Sequence, residues 1–316
     1  MNIKVKKILN FSEYKTNRIL ESFLMNYEAK VNAKMRVADI LPIENSGISN
    51  ELYSYALKSH FDFIVTQSLL PVFAIEFDGM GHDDLNDKKK DQLCKKFDFP
   101  ILRVTESAWR NIQDGHMTML QYICEVFFTY EWFKEEKSKG NFNADEPFIL
   151  ASMIEIPHIE RRFPLAPGVT STRQKIHKLF GKDLGGNSAR KVFVPTSFVL
   201  KNRDSGNDQF FSIIYIQLND ISGILYTTKM KSTNLFDDIV HADFTENLAM
   251  LNFESIIDDY IKNPEAVRKT KSEIMQELRT IDDKFGLSKW SGVLGSSGES
   301  DEVIDLISKI SFGRES

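Results

Sequence analysis

Cysteine is scarce in this chain: its 316 residues include two, Cys94 and Cys124. That excludes a disulfide-stapled scaffold, and the absence of any Cys-x-x-Cys pair excludes the common zinc-site spacings. Both cysteines fall in stretches that read as helices, so reduced, buried thiols are expected. Long apolar runs are also lacking. No uninterrupted stretch approaches the ~20 residues of a membrane-spanning helix, and the opening Met-Asn-Ile-Lys-Val-Lys-Lys adjoins no apolar leader core. The expectation from these absences is a cytoplasmic location without membrane contact. Internal repeats and sustained low-complexity tracts are missing too, which removes solenoid architectures.

What is present is a globular composition, 42% hydrophobic and 27% charged, with length enough for two domains. The polar stretch Lys137–Pro147 (KSKGNFNADEP), with its Gly, Asn and Pro, marks the boundary. It divides a first domain over residues 1–140 from a second over 148–316. Just before it, a helix from about Met117 to Glu135 carries apolar residues on more than one face, so it should pack on a sheet.

The chemistry concentrates between His60 and Val104. Three runs there have strand character: Phe61–Thr66, Val72–Phe77 and Ile101–Val104. They carry or flank Asp62, Glu76 and Asp78, and a carboxylate in such a strand is costly unless paired, hydrogen-bonded or bound to a cation. Side chains alternate across a strand, so Glu76 and Asp78 share a face with Ala74. Two acids on one face near a third invite a hard divalent cation. A competing reading places the acids at a strand end marked by Gly79, where they reach water and need no function. His82, following Gly79 and Gly81, adds a ligand or proton carrier at the same end.

The next segment, Asp87–Phe97, reads as a helix with Leu93, Cys94 and Phe97 on its apolar stripe. Asp87 and Lys90 extend that stripe toward the helix N-terminus, from which Lys90 can project into a cleft. Otherwise Lys88, Lys89 and Lys90 form an ordinary solvated run.

Taken in order, these residues resemble the PD-(D/E)xK endonuclease superfamily, and within it the very-short-patch-repair-type branch. The resemblance rests on Asp62-Phe63, Ile75-Glu76-Phe77-Asp78-Gly79, His82, Asp87-Lys88-Lys89-Lys90-Asp91 and Pro100-Ile101-Leu102-Arg103. Upstream it adds a helix with Glu13 and Leu20, and Val31–Ile40 (VNAKMRVADI) as a strand bearing Arg36 and Asp39. It spans roughly residues 10–135.

The resemblance implies an α/β fold, a restriction-endonuclease-like mixed sheet flanked by helices, with the site where the central strands diverge. It implies that Asp62, Glu76 and the carbonyl of Phe77 hold Mg2+, for which Mn2+ can substitute. Glu13 would reach in from the first helix, Asp78 would lie at the same strand end, and His82 would act as ligand or general acid. One departure stands out. The superfamily pattern has Lys two residues after its second acid, where this chain has Asp78, so Lys90 would have to bring its ammonium to that space. Hydrolysis of phosphodiester bonds in DNA follows, in repair, restriction or phage defence.

The second domain reads as α+β and resembles no family. Phe148–Ile156 reads as a strand or short buried segment, and Ser171–Phe180 as a helix. Val192–Leu200 and Phe210–Leu218 form a hairpin tipped by Lys201–Gln209. Helices follow at about Phe244–Ile261, Pro264–Phe285 and Asp301–Ile310, with Gly295–Glu299 as a linker. Residues 161–203 hold ten Lys or Arg against one acid, Asp183, a formal +9 in a chain of net −5. Arg161, Arg162, Arg173, Lys175, Lys178, Lys182, Arg190 and Lys191 thus form a candidate nucleic-acid face, DNA more than RNA. Alternatively these bases pair with the acidic residues of Phe236–Asp259 or of the first domain. Two other functional classes fit: a nuclease-fold module without catalysis that binds nucleic acid, a partner protein or a second copy of the chain, and a nucleotide-sensing regulator.

Overall fold

A computed structural model describes residues 7–78, 84–112, 117–150, 167–180, 192–201, 208–231, 235–285, 295–296 and 302–312. The chain divides into two compact units, the first built mainly from residues 1–146 and the second mainly from the rest.

The first unit begins with α1 (Phe11–Leu24), started by a capping box between Asn10 and Glu13. Strand β1 (Ala29–Ala33) follows. Val31–Ile40 is therefore not one strand: β1 ends at Ala33, Lys34 adopts a left-handed φ of 56°, and Val37–Ile40 forms a short helix, α2. Apolar residues at Val37, Ile40 and Leu41 have helical spacing, which outweighs alternation here. Next come α3 (Asn50–Lys58), β2 (Phe63–Gln67) and β3 (Leu70–Phe77). Ser68 and Leu69 close the β2–β3 hairpin, both at positive φ. Helix α4 (Asp84–Lys96) then leads to β4 (Ile101–Val104). After a two-residue pairing of β5 (Asn111–Ile112) with β6 (Met117–Thr118), α5 (Met119–Ser138) completes the unit.

Strands β1 to β4 form one sheet in that order, antiparallel from β1 to β3 and parallel from β3 to β4. Helix α4 is the crossover that the parallel pair requires. One face of the sheet, with Ile64, Ala74 and Ile101, is covered by α2, α3 and α4 through Val37, Leu41, Leu52, Ala56, Leu93 and Cys94. The opposite face presents Phe73 to Phe127 of α5 at 4.5 Å between centroids, and Phe77 to Trp109 at 5.1 Å, stacked. A mixed sheet flanked by helices is thus what the first domain contains. Both cysteines are free and buried, and burial pushes each thiol up to about 12.

The second unit holds α6 (Pro167–Phe180), β7 (Val192–Lys201), β8 (Asp208–Asn219), β9 (Ser222–Lys231), α7 (Asp238–Lys262), α8 (Pro264–Val267), β10 (Lys269–Thr270), α9 (Lys271–Phe285), β11 (Gly295–Ser296) and α10 (Glu302–Phe312). Its strands form an antiparallel sheet in the order β10-β9-β8-β7-β11. Phe211, Ile213 and Tyr215 of β8 pack on α9 and α10, while Ile214 and Ile216 pack on α6 and α7. Burial on both faces explains the continuous apolar run of β8.

Three expectations for this unit need correction. Strand β9 extends the hairpin and was not anticipated. The helix expected over Pro264–Phe285 is broken, because Thr270 and Glu273 form a capping box that starts α9 afresh. Gly295–Ser296, read as linker, pairs with β7. Of the segment Phe148–Ile156, residues 151–156 lie outside the described residues, as do residues 202–207 of the hairpin tip.

Candidate active site

The register fixes the site. Ala33 pairs with Phe63 and Phe63 with Ile75, so the next residues, Lys34, Asp62 and Glu76, continue one cross-strand row. The Lys34 N–H donates to the Asp62 carbonyl at 2.9 Å. Beyond the end of β2, the Asp62 side chain takes over the pairing: its Oδ2 accepts the Phe77 N–H at 2.9 Å. In a strand the N–H and C=O of one residue point to the same side, which puts the Phe77 carbonyl on the β2 edge of β3. The Asp62 N–H donates to Glu76 Oε1 at 3.2 Å, locking the two acids side by side.

Two ammoniums serve these acids. Lys90 Nζ, from α4, donates to Glu76 Oε2 at 2.5 Å and to the His60 carbonyl at 2.9 Å. Lys34 Nζ donates to Asp62 Oδ1 at 2.6 Å and to Glu13 Oε1 at 2.8 Å. Glu13 Oε2 accepts the Asn10 N–H, so this acid caps its helix and serves the row together. Glu13, Asp62, Glu76 and Lys90 are thus brought together, joined by a residue not anticipated from sequence, Lys34. Its only local signal is a charged residue between the strand-like AKVNA and the helical spacing of VADI.

Asp78 stands slightly apart. It meets Arg103 of β4, whose guanidinium also bonds Asp87 and Asp91 of α4 at 3.0 and 2.8 Å. His82 lies outside the described residues.

Glu76 is buried, and that burial pushes its carboxyl up to about 7, against the pull of the Lys90 ammonium and with further push from Asp62. Burial alone would depress the Lys34 ammonium, but its bonds to Asp62 and Glu13 prevail and raise it. Among the described residues no three His, Cys, Asp or Glu side chains converge as a ready metal cage. Even so, the donor set suits a hard cation. It is all oxygen, and Lys34 already places a positive charge between two of the carboxylates.

Of the basic residues in 161–203, Lys175 on α6 bonds Glu254 at 2.5 Å and lies 3.8 Å from Asp258, both on α7. For that residue, pairing with acids holds. Lys178 is exposed on the same helix, and of Arg173 only the helix position is described. Arg161, Arg162, Lys182, Arg190 and Lys191 lie outside the described residues. Among the described residues no helix is long and apolar enough to cross a membrane.

Residues 5–120, under half of the chain, match the model of a family described as a protein of unknown function (DUF2726). No curated protein and no solved structure matches the chain.

Proposed function

We propose that the first unit is a magnesium-dependent endonuclease acting on DNA, with the mixed sheet serving as a restriction-endonuclease-like scaffold. The observation that carries this reading is the linked set Glu13, Lys34, Asp62, Glu76 and Lys90 at one end of β2 and β3. Three acids and two lysines at adjacent strand ends supply the oxygen ligands and the ammonium that metal-assisted phosphoryl transfer uses.

Asp62, Glu76 and the Phe77 carbonyl would hold the cation, with Glu13 beside Asp62. Bound there, magnesium supplies charge to polarise a phosphoryl oxygen and to make water a better nucleophile. The rest falls to the protein. Phe77 N–H and Asp62 N–H orient the two acids, and Glu76 holds the Lys90 ammonium where negative charge builds on a phosphate. Lys90 thereby takes the part of the lysine absent at position 78.

Purified full-length protein should cut DNA with Mg2+ or Mn2+, and Asp62→Ala or Glu76→Ala should abolish cutting while leaving DNA binding intact. Identical behaviour of wild type and both variants on all nucleic-acid substrates would sink the proposal. One observation favours a second reading, a module that binds without cutting. Both oxygens of Glu13, Asp62 and Glu76 already accept a hydrogen bond from the protein. DNA binding without cleavage under any divalent cation would select it.

A further inference from the structure

The two lysines of the site are not equivalent. Lys90 is 8% exposed and tied to a backbone carbonyl as well as to Glu76. Lys34 is 30% exposed, and its ammonium bonds two carboxylates. It also sits at a left-handed φ of 56°, a conformation that lysine adopts only at a cost. The oxygen it takes on Asp62 matters most. Oδ2 accepts the Phe77 N–H, and Lys34 is on the other oxygen, Oδ1, at 2.6 Å, where it occupies space that a cation on Asp62 would need.

We infer that Lys34 is a tethered cation: it holds Glu13 and Asp62 together in the metal-free protein and must leave Asp62 before a divalent ion binds there. It thereby sets the metal concentration at which the site loads. This rests on the metal-site reading above. Charge supports it. Glu13 and Asp62 are two acids that share the single ammonium of Lys34, whereas a divalent ion in its place would match both. A magnesium or manganese ion and the ammonium would compete for the same oxygen, since like charges at contact repel strongly in a partly buried site. The partly exposed, unbranched lysine side chain gives the ammonium a route out to water.

The test is a Mn2+ titration of the full chain, with free Mn2+ followed by its electron paramagnetic resonance signal. Lys34→Met and the neutral hydrogen-bonding Lys34→Gln should each bind Mn2+ at least tenfold more tightly than wild type. Lys34→Arg, which keeps the charge, should stay close to wild type, and adding Asp62→Asn to Lys34→Met should erase the gain. Two neutral variants guard against one misfolding, and unfolding midpoints establish that each is native. Unchanged or weaker binding in the neutral variants, with wild type binding Mn2+, overturns the tethered-cation inference and leaves the metal site standing. An equal gain in Lys34→Arg overturns it too, since shape and not charge would then be the cause. If neither wild type nor the neutral variants bind Mn2+, the metal reading fails and this inference fails with it.

Discussion

Replacing Glu76 by Gln should make the first unit more stable at neutral pH. Burial lifts the carboxyl from its ordinary 4.5 to about 7. The unfolded chain therefore releases this proton before the folded one does, and over that window the folded state binds more protons. Stability then falls as pH rises from 4.5 to 7, and the full penalty is present above 7. At ~1.4 kcal/mol per pH unit, the shift amounts to about 3 kcal/mol. Gln resembles the protonated acid and has no such slope. Wild type and Glu76→Gln should thus be nearly equal in stability near pH 4.5. They should diverge to about 3 kcal/mol in favour of Gln by pH 7.5, because the raised carboxyl already counts the attraction of Lys90. Native-state hydrogen exchange of the β3 amides reads the first unit alone, in chelator and corrected for intrinsic rates at each pH. Parallel free energies for the two proteins across the window, or wild type gaining on the variant as pH rises, would refute the reasoning.

Two further outcomes follow from geometry. Arg103→Leu leaves Asp78, Asp87 and Asp91 facing one another without their shared cation, in a site where the arginine is 15% exposed. With the three carboxylates 27–43% exposed, a loss of about 1–2 kcal/mol is expected, seen as a lowered thermal midpoint, and a change below ~0.5 kcal/mol would deny the cluster its role. At the β2–β3 hairpin, Ser68 and Leu69 hold φ values of 48° and 69°. The pair Ser68→Asn with Leu69→Gly suits that turn and should raise stability by about 1–2 kcal/mol, measured by urea denaturation; a lowered midpoint would contradict it.

Strands β2, β3 and β4 and helix α4 were readable because their apolar residues follow the periods of strand and helix without interruption. Lys90 was readable for the same reason, as a charged residue continuing the stripe that ends in Leu93 and Cys94. Lys34 was not. Its importance comes from a left-handed backbone at a residue that carries no glycine signal, inside a stretch that reads as one strand, Val31–Ile40. Strand β9 was hidden by its own Gly223, which looks like a turn residue. In the fold, a Cβ at 223 would meet the Ile216 carbonyl and the Tyr215 ring, each at 2.7 Å. The glycine marks close packing inside the sheet. For the basic stretch, the alternative of pairing with acids of Phe236–Asp259 was legible in sequence and holds for Lys175, but that Glu254 is the partner follows only once α6 lies on α7.

Asp78 is held by a cation of its own. Because Arg103 already stands at 3.2 Å from the Asp78 carboxylate, a lysine written into position 78 would set one cation against another. Position 78, one residue beyond β3, anchors β4 through Arg103, while the ammonium beside Glu76 comes from Lys90 of α4. An engineer placing a lysine at position 78 would have to rebuild Arg103, Asp87 and Asp91 in the same step.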